Sequence, residues 1–314
     1  MPDTHRYGLH NPRAAIAYRL GSTMLLTAML TMIKLVSDRI PVGEIVFCRS
    51  VGSLMPVVLW AAWQRRLATI LATANLLGQM KRSLAGASAV FLNFGALKFL
   101  AVADTTAIGY LTPLITCFLA IVILSEVVAW FQWLALAAGL FGVLIILAGY
   151  FPDAMELRGP SVVGAVLALA GAFAASLAAI QIRSLTHIEA PATIVTYFLL
   201  FSAGASGLTF ILGWVLPWPR EAILLTTIGL VGGAAQICLT ESLRQGAASV
   251  VAPFDYVGMI WAVIASWLVF GTWPRANVFI GAAVVIAAGL AIIPRRGNWN
   301  YAAAVGNGKR EWGK

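Results

Sequence analysis

The chain has 314 residues, of which 61% are apolar and only 11% are charged, and its formal net charge is +9. Soluble globular proteins contain about 45–50% apolar and about 25% charged residues. The composition therefore excludes an ordinary soluble enzyme, a disordered chain and a fibrous protein, and it predicts a helical membrane protein that crosses the bilayer several times.

Apolar runs near the length that crosses a bilayer, about 20 residues, occur ten times between charged or Pro/Gly-containing breaks. In chain order, the predicted spans are Ala15–Val36, Glu44–Trp63, Ser83–Leu100, Thr105–Leu124, Val127–Gly149, Ser161–Ile182, Ala192–Leu212, Ala222–Leu243, Ala247–Phe270 and Asn277–Ile293. The predicted fold class is an all-α membrane protein with ten transmembrane helices. The loops between them are too short to hold a soluble catalytic domain.

Basic residues are distributed unequally between the two sets of predicted loops. Ten spans place both chain ends on one side, where 14 Lys and Arg residues lie, against five on the other side. Because positively charged loops stay in the cytoplasm, the sequence predicts a multi-pass membrane protein with both termini cytoplasmic. The same bias accounts for the net charge without nucleic-acid binding, which the sequence does not predict.

The chain resembles itself at an offset of 146 residues. Segment 94–101 lies over segment 240–247, and the same offset places Tyr110 over Tyr256. Chance similarity is the alternative, because few positions are identical. A repeat of five spans is odd, so the second copy would enter the membrane from the opposite side, as in inverted-repeat transporters.

This interpretation predicts five segments along the chain. They are a cytoplasmic tail (1–14), a first five-helix repeat (15–150), an external loop (151–160), an inverted second repeat (161–294) and a second cytoplasmic tail (295–314). Within the second repeat, Gly229 and Gly233 recur at helical spacing, and such small residues allow close helix packing in lipid.

Several polar or ionisable side chains fall inside predicted spans, where burying them is costly and a functional role is the first hypothesis. Asp255 follows Pro253, whose missing backbone donor can open local carbonyls toward a cavity. Asp255 or Glu241 is the candidate proton carrier. The predicted substrate-binding residues are Arg49, Asn93, Tyr110, Gln236, Thr240, Asp255, Tyr256 and Trp261.

A structural role is the alternative for each of these side chains. Arg49 could bind helix-end carbonyls, with Asp255 as its counter-ion. Asn93 and Gln236 could form interhelical hydrogen bonds, and Glu241 could form an i, i+3 pair at the end of its helix. The aromatic residues could pack in the core.

Motifs of enzymes and metal proteins are absent from the sequence. It contains no GxxxxGK[ST], HExxH or GxSxG motif, and its three cysteines and three histidines form no ligand-like cluster. The sequence therefore predicts no enzyme, no catalytic residue, no bound metal and no cofactor. A transporter without ATP hydrolysis would use the gradient of its substrate or of an ion.

Several short motifs follow one another in a fixed order along the two halves. Pro41 precedes Phe47-Cys-Arg49, a Pro113 helix ends in Leu124-Ser-Glu126, and the segment Ala252-Pro-Phe-Asp-Tyr256 continues to Phe270-Gly-Thr272. In this order and spacing the chain resembles the drug/metabolite transporter superfamily, in its ten-span EamA-type branch. Thr272 departs from the pattern, since the family often has Glu there.

The resemblance implies a central cavity between two repeats, alternating access, and export or exchange of small metabolites such as amino acids or related amphipathic or cationic solutes. Uptake of a nucleoside-like metabolite such as S-adenosylmethionine is one alternative, and a lipid scramblase or flippase is an alternative from another class. The expected partners are a small-molecule substrate, the lipid bilayer and a proton as candidate coupling ion. The protein is expected to be a monomer or homodimer.

Overall fold

A computed structural model of the chain describes residues 11–37, 39–65, 67–96, 99, 108–124, 130–148 and 160–270, and isolated positions between 280 and 287. Regular structure in these ranges is helical throughout. The helices are α1 (Pro12–Val36), α2 (Val42–Trp63), α3 (Leu76–Ala96), α4 (Thr112–Leu124), α5 (Trp130–Ala148), α6 (Pro160–Leu185), α7 (Pro191–Gly207), α8 (Pro219–Gln245), α9 (Ala248–Val251) and α10 (Val257–Phe270). Short 3-10 turns cover Leu67–Thr69, Leu208–Leu212 and Ala252–Tyr256.

Five helical segments of the described part are long and apolar enough to cross a membrane. They are Pro12–Val36, Val42–Trp63, Val163–Leu185, Pro191–Leu212 and Pro219–Gln245. These segments agree with the prediction of an all-helical, multi-pass membrane protein. The tenth predicted span, Asn277–Ile293, lies almost entirely outside the described residues, and the total of ten stays a prediction.

The third predicted span begins earlier than its charges suggested. α3 starts at Leu76 and not at Ser83, because side chains accept hydrogen bonds from the backbone amides at its start. The Asn75 side chain accepts a hydrogen bond from the Gly78 amide at 2.8 Å. Glu189 accepts hydrogen bonds from the Ala74 amide at 2.8 Å and the Asn75 amide at 3.1 Å. The helix therefore includes Arg82, which the sequence placed in a loop.

Three basic residues that the sequence assigned to the cytoplasmic side are buried within helices. They are Arg19, Arg82 and Arg183. Their long side chains pack against neighbouring helices, so they carry no information on loop charge. Without them, eleven basic residues remain on the predicted cytoplasmic side against five on the other, and the bias keeps its direction.

Helix packing joins the first half of the chain to the second. The most extensive contacts are between α1 and α8 and between α3 and α6, followed by those of α2 with α8 and α7, of α4 with α6, of α3 with α7 and of α1 with α10. Each helix of the first half has a counterpart in the second half, and swapping the counterparts reproduces the same set of contacts. The pairs of counterparts are α1 and α6, α2 and α7, α3 and α8, and α4 and α10. The most extensive helix pairs between the halves are therefore equivalent in their partners, although α2 contacts α8 more extensively than α3 contacts α7.

Apolar side chains from both halves form the core, and other large apolar side chains cover the outer helix faces. One buried cluster joins α1, the following loop, α2 and α8 through Met29, Ile33, Val36, Ile40, Ile45, Leu225 and Ile228. Outside, Leu59, Val122 and Leu268 are well exposed. Exposed apolar side chains of this size suit helices that face lipid.

α2 and α8 approach closely where two glycines meet. A Cβ atom added to Gly229 would lie 2.7 Å from the Gly52 Cα atom. The hydroxyl of Ser53 donates a hydrogen bond to the Gly229 carbonyl at 2.8 Å. Because lipid provides no hydrophobic driving force between helices, such close contacts are a main source of helix association.

We expect Gly229→Ala to destabilise the protein, because the new methyl group would meet backbone that cannot rotate away. Overpacking of this kind costs about 1–3 kcal/mol. Each kcal/mol lowers the melting temperature by about 2–4 °C in chains of 150–250 residues. Tryptophan fluorescence in detergent measures the change. Gly204→Ala on α7 is the matched control, because an added Cβ there meets no atom within 4 Å. Equal melting temperatures for the two variants would contradict the packing described.

Candidate substrate site

Asp255 lies in the 3-10 turn that interrupts the ninth predicted span, and it forms an ion pair with Arg19 of α1. Nε and Nη2 of Arg19 donate to the two carboxylate oxygens, which makes the pair bidentate. The two side chains are only 11% and 19% exposed. The hypothesis that Asp255 is the counter-ion of Arg49 is therefore wrong, because packing of α1 against this turn brings Arg19 to it instead.

The turn itself follows from the sequence. Pro253 has no backbone N–H and disfavours a continuous α-helix. The chain leaves α-helical geometry at Ala252 and resumes it at Val257. This interruption presents Asp255 to Arg19 of α1.

Two of the predicted aromatic residues meet beside this ion pair. The rings of Tyr110 and Tyr256 pack with their centroids 5.9 Å apart, and Tyr256 directly follows Asp255 in the chain. Tyr256 is 1% exposed. Its ring lies against α5 at Gly139, where an added Cβ would come within 2.3 Å of the ring. The structure thus brings Tyr110, Tyr256 and Asp255 together.

Trp261 is the third predicted aromatic residue. It lies on α10, beyond the turn that carries Asp255. Its indole Nε1 is buried and has no hydrogen-bond partner among the described residues. A buried indole N–H ordinarily finds a partner, so Trp261 keeps a free donor.

The predicted residues of α8 are buried, and their polar groups bond mainly within the helix. The Thr240 hydroxyl donates to the Gln236 carbonyl at 2.9 Å. Glu241 accepts from Arg244 Nε at 2.7 Å, as the i, i+3 alternative predicted. This ion pair supports a structural role for Glu241.

Asn93 lies where α3 packs against α6. Its amide donates to the Ala89 carbonyl of its own helix at 2.7 Å. The amide also packs against Gly171, where an added Cβ would come within 2.8 Å of Nδ2. Asn93 therefore packs between helices, while its hydrogen bond stays within α3.

Arg49 of α2 is 5% exposed and packs against α8, with its Nε 3.4 Å from the position of a Cβ added at Gly232. Arg82 of α3 is 2% exposed, and its guanidinium carbon lies 4.0 Å from the ring centroid of Phe198. The two guanidinium groups repel each other electrostatically.

Neither arginine has an ion-pair or hydrogen-bond partner in the described ranges, and several other buried polar side chains of the same helices and of α7 also carry unpaired atoms. We call these unpaired, buried residues of α2, α3 and α7 the central polar cluster: Arg49, Ser50, Gln79, Arg82, Ser83 and Ser202.

Sequence reasoning found Arg49 but missed the α3 members of the central polar cluster. Gln79, Arg82 and Ser83 recur at i, i+3 and i+4, which is one face of a helix. That spacing could have identified them. The adjacent Lys81 and Arg82 were interpreted instead as loop charges, which ended the predicted span too early.

An open depression at the start of α8 is a weaker candidate. It is lined by Ala222, Ile223, Thr226 and Thr227. The hydroxyls of Thr226 and Thr227 donate to carbonyls of their own helix at 2.8 and 2.9 Å. The depression therefore offers no free side-chain donor. Among the described residues, no group of His, Cys, Asp and Glu could hold a metal ion.

Comparison with known families identifies the chain. The model of the EamA-like transporter family matches residues 13–148 and, a second time, residues 162–293. The chain belongs to the EamA-like transporter family. The predicted resemblance is thereby confirmed, as is the prediction of a transmembrane transporter and not an enzyme.

Individual relatives of this EamA-like transporter carry different names. It is 30% identical over 164 residues to the riboflavin transporter of Vibrio cholerae, which is 52% of this chain and 53% of that protein. It is 26% identical over 271 residues to the pseudopaline exporter CntI of Pseudomonas aeruginosa, and the match covers 85% of this chain and 91% of that protein. It is 26% identical over 194 residues to the S-adenosylmethionine uptake transporter of Rickettsia prowazekii, and the match covers 61% of this chain and 63% of that protein. The match thus spans about half the length of the riboflavin transporter.

A solved crystal structure has the same fold as this EamA-like transporter. It superposes with a TM-score of 0.78, covering 93% of this chain and 99% of the other, at 17% sequence identity. At that identity the likeness concerns the fold alone.

We expect Asp255→Asn to reduce the folded yield strongly, because it leaves Arg19 buried without its partner. Breaking a buried ion pair from one side costs about 3–5 kcal/mol. The double variant Arg19→Gln/Asp255→Asn removes both charges and should recover most of the yield. Lys81→Gln is the control, since it removes a charge from an exposed side chain of α3 and should change little. Size-exclusion chromatography of the solubilised protein measures the yield. A double variant as poor as Asp255→Asn would contradict the assignment.

Proposed function

We propose that this EamA-like transporter is a secondary active or facilitative carrier of small metabolites that works by alternating access. The observation that carries the proposal is the exchange symmetry of the helix contacts between the two halves. When two halves make equivalent contacts, a state open to one side and a state open to the other can be built from nearly the same packing. Their free energies then lie close together, as alternating access requires.

The proposed topology is ten transmembrane helices in two inverted five-helix repeats, 15–150 and 161–294, with both termini in the cytoplasm of an inner membrane. The odd number of spans in each repeat supports the inversion. The excess of basic residues on one side, eleven against five, supports the orientation. The two matches to the family model support the division into two repeats.

The proposed direction is export or exchange. CntI, a relative aligned over 91% of its length, is named as an exporter. Uptake of a nucleoside-like metabolite is the second candidate, supported by the Rickettsia prowazekii relative. Riboflavin belongs to the same group of candidate substrates, because the Vibrio cholerae relative is named for it.

The proposed substrate site lies between the two halves. Arg49 faces α8 across the boundary between halves, and Tyr110 meets Tyr256 across the same boundary. Asn93, Gln236, Thr240, Asp255 and Trp261 complete the set of proposed binding residues.

A proton is the candidate coupling ion. A proton on Asp255 would remove the negative charge that holds Arg19, and α1 could then move relative to the turn. This gives Asp255 a direct link between protonation and helix position. Glu241 is the second candidate, because a proton on it would release Arg244 in the same way.

Purified protein in liposomes should move at least one labelled solute from a panel of riboflavin, S-adenosylmethionine and aromatic amino acids down its gradient. Because no nucleotide motif occurs in the sequence, transport should need no ATP. Protein-free liposomes give the background, and an imposed pH gradient reveals proton coupling. Fluorescent phospholipid in the same liposomes tests the scramblase alternative. Lipid movement without solute movement, or movement of neither by folded protein, would contradict the proposal.

A further inference from the structure

Two arginines of the central polar cluster, Arg49 of α2 and Arg82 of α3, are buried without a counter-ion among the described residues. Nε of Arg49 and both Nε and Nη1 of Arg82 are shielded from solvent and make no hydrogen bond within the described ranges. Arg82 lies on the ring of Phe198 of α7, and Phe198 packs in one apolar cluster with Leu54 and Val57 of α2, within about two turns of Arg49. The fold thus holds both guanidinium groups beside the contact of α2 with α7, largely shielded from water.

The other buried arginines of the described part have partners. Arg19 forms the bidentate pair with Asp255. Arg183 donates through Nη1 to the carbonyls of Leu243 at 2.9 Å and Arg244 at 3.3 Å. The fold therefore supplies carboxylates or helix-end carbonyls where a guanidinium group has a structural role. Arg49 and Arg82 differ from this pattern.

No carboxylate of the described residues is left over to pair with them. Each of the five has another donor: Glu44 accepts from the Val215 amide at 3.0 Å, Glu189 from the Thr73 hydroxyl at 2.6 Å, Glu221 from Arg39 at 2.8 Å, Glu241 from Arg244 at 2.7 Å, and Asp255 from Arg19. None of these five described carboxylates therefore serves the two arginines, which leaves them open to an anion from a bound molecule.

On the basis of the proposed carrier function, we propose that the substrate carries an anionic oxygen group, a carboxylate or a phosphate, which Arg49 and Arg82 bind together. Guanidinium groups present forked N–H donors that match both kinds of anion. An anion between them would offset their mutual repulsion and the desolvation of their charges.

The remaining members of the central polar cluster fit this role. Ser50, Gln79, Ser83 and Ser202 are at most 2% exposed, and their side-chain polar atoms are unpaired in the described part. Hydroxyl and amide groups can donate to an anion and can also accept from a neutral part of the substrate. Because protein surrounds these groups on all sides, the favoured source of the anion is a soluble metabolite and not a lipid headgroup.

The test measures the apparent melting temperature in lipid-free detergent at constant ionic strength. The probes are malate for a carboxylate, glycerol 3-phosphate for a phosphate, glycerol as the neutral comparison and phosphatidylglycerol for a lipid phosphate. Ligand binding to the folded state raises the melting temperature by mass action. We expect malate or glycerol 3-phosphate to raise it by several degrees in the wild type, and glycerol to have no effect.

The variants are Arg49→Gln and Arg82→Gln, with Lys81→Gln as the matched control because Lys81 is the exposed neighbour of Arg82. The anion-dependent rise should disappear in both arginine variants and persist in the control. An equal rise in all variants is a general salt effect and overturns the inference. So does no rise in the wild type with either soluble anion, and so does a rise with phosphatidylglycerol alone.

Arg49→Lys and Arg82→Lys provide the comparison if a glutamine variant does not fold. Lysine keeps the charge but loses the planar fork, so each anion should bind at least tenfold more weakly; unchanged affinity would overturn the inference.

Transport separates this inference from the proposed function. Anion binding that needs both arginines, without transport of any solute, would refute the carrier and keep the anion site. Transport of a carboxylate substrate and its neutral amide at equal rates would refute the anion site and keep the carrier.

Discussion

The interior of a bilayer contains no water to stabilise charge, so each charged side chain buried there needs a partner from the protein or from a ligand. This constraint explains the arrangement of the described helices. Asp255 binds Arg19 across the boundary between halves, and Arg183 binds the carbonyls at the end of α8. Where the described residues supply neither a carboxylate nor a hydrogen-bond acceptor, at Arg49 and Arg82, the same constraint underlies the proposed anion site.

The two halves of the chain depend on each other for their packing. α1 and α2 contact α8, and α3 and α4 contact α6, so the most extensive interfaces cross between halves. The close approach at Gly52 and Gly229 brings two backbones together without side chains between them. The equivalence of the helix pairs under exchange of halves is the basis of the alternating access proposed above.

Much of this fold could be predicted from the sequence, because local patterns determine it. Hydrophobic length placed the helices, and the offset of 146 residues anticipated the correspondence of Tyr110 and Tyr256, which the structure brings into contact. The spacing of Glu241 and Arg244 predicted their ion pair. Each of these depends on neighbours along the chain or on a repeat within it.

The choice of partners between distant helices could not be predicted. Arg19 and Asp255 are 236 residues apart, and only the packing of α1 against the turn decides that Asp255 meets Arg19 and not Arg49. Arg82 was missed for a different reason. A pair of adjacent basic residues is typical of a loop. The acceptor for the amides that precede α3 is Glu189, which lies in a distant part of the chain.

Alternating access requires that a site between the two halves opens in turn to each side of the membrane. The test uses a variant with a single thiol in the central polar cluster. It carries Ser202→Cys, and its native cysteines are replaced by alanine: Cys48, Cys117 and Cys238. Labelling with a membrane-impermeant thiol reagent, applied to one side of oriented vesicles at a time, measures access to it. We predict that the reagent labels the thiol from both sides, and that a transported solute changes the ratio of the two labelling rates. Labelling from one side only, unchanged by every transported solute, would contradict it.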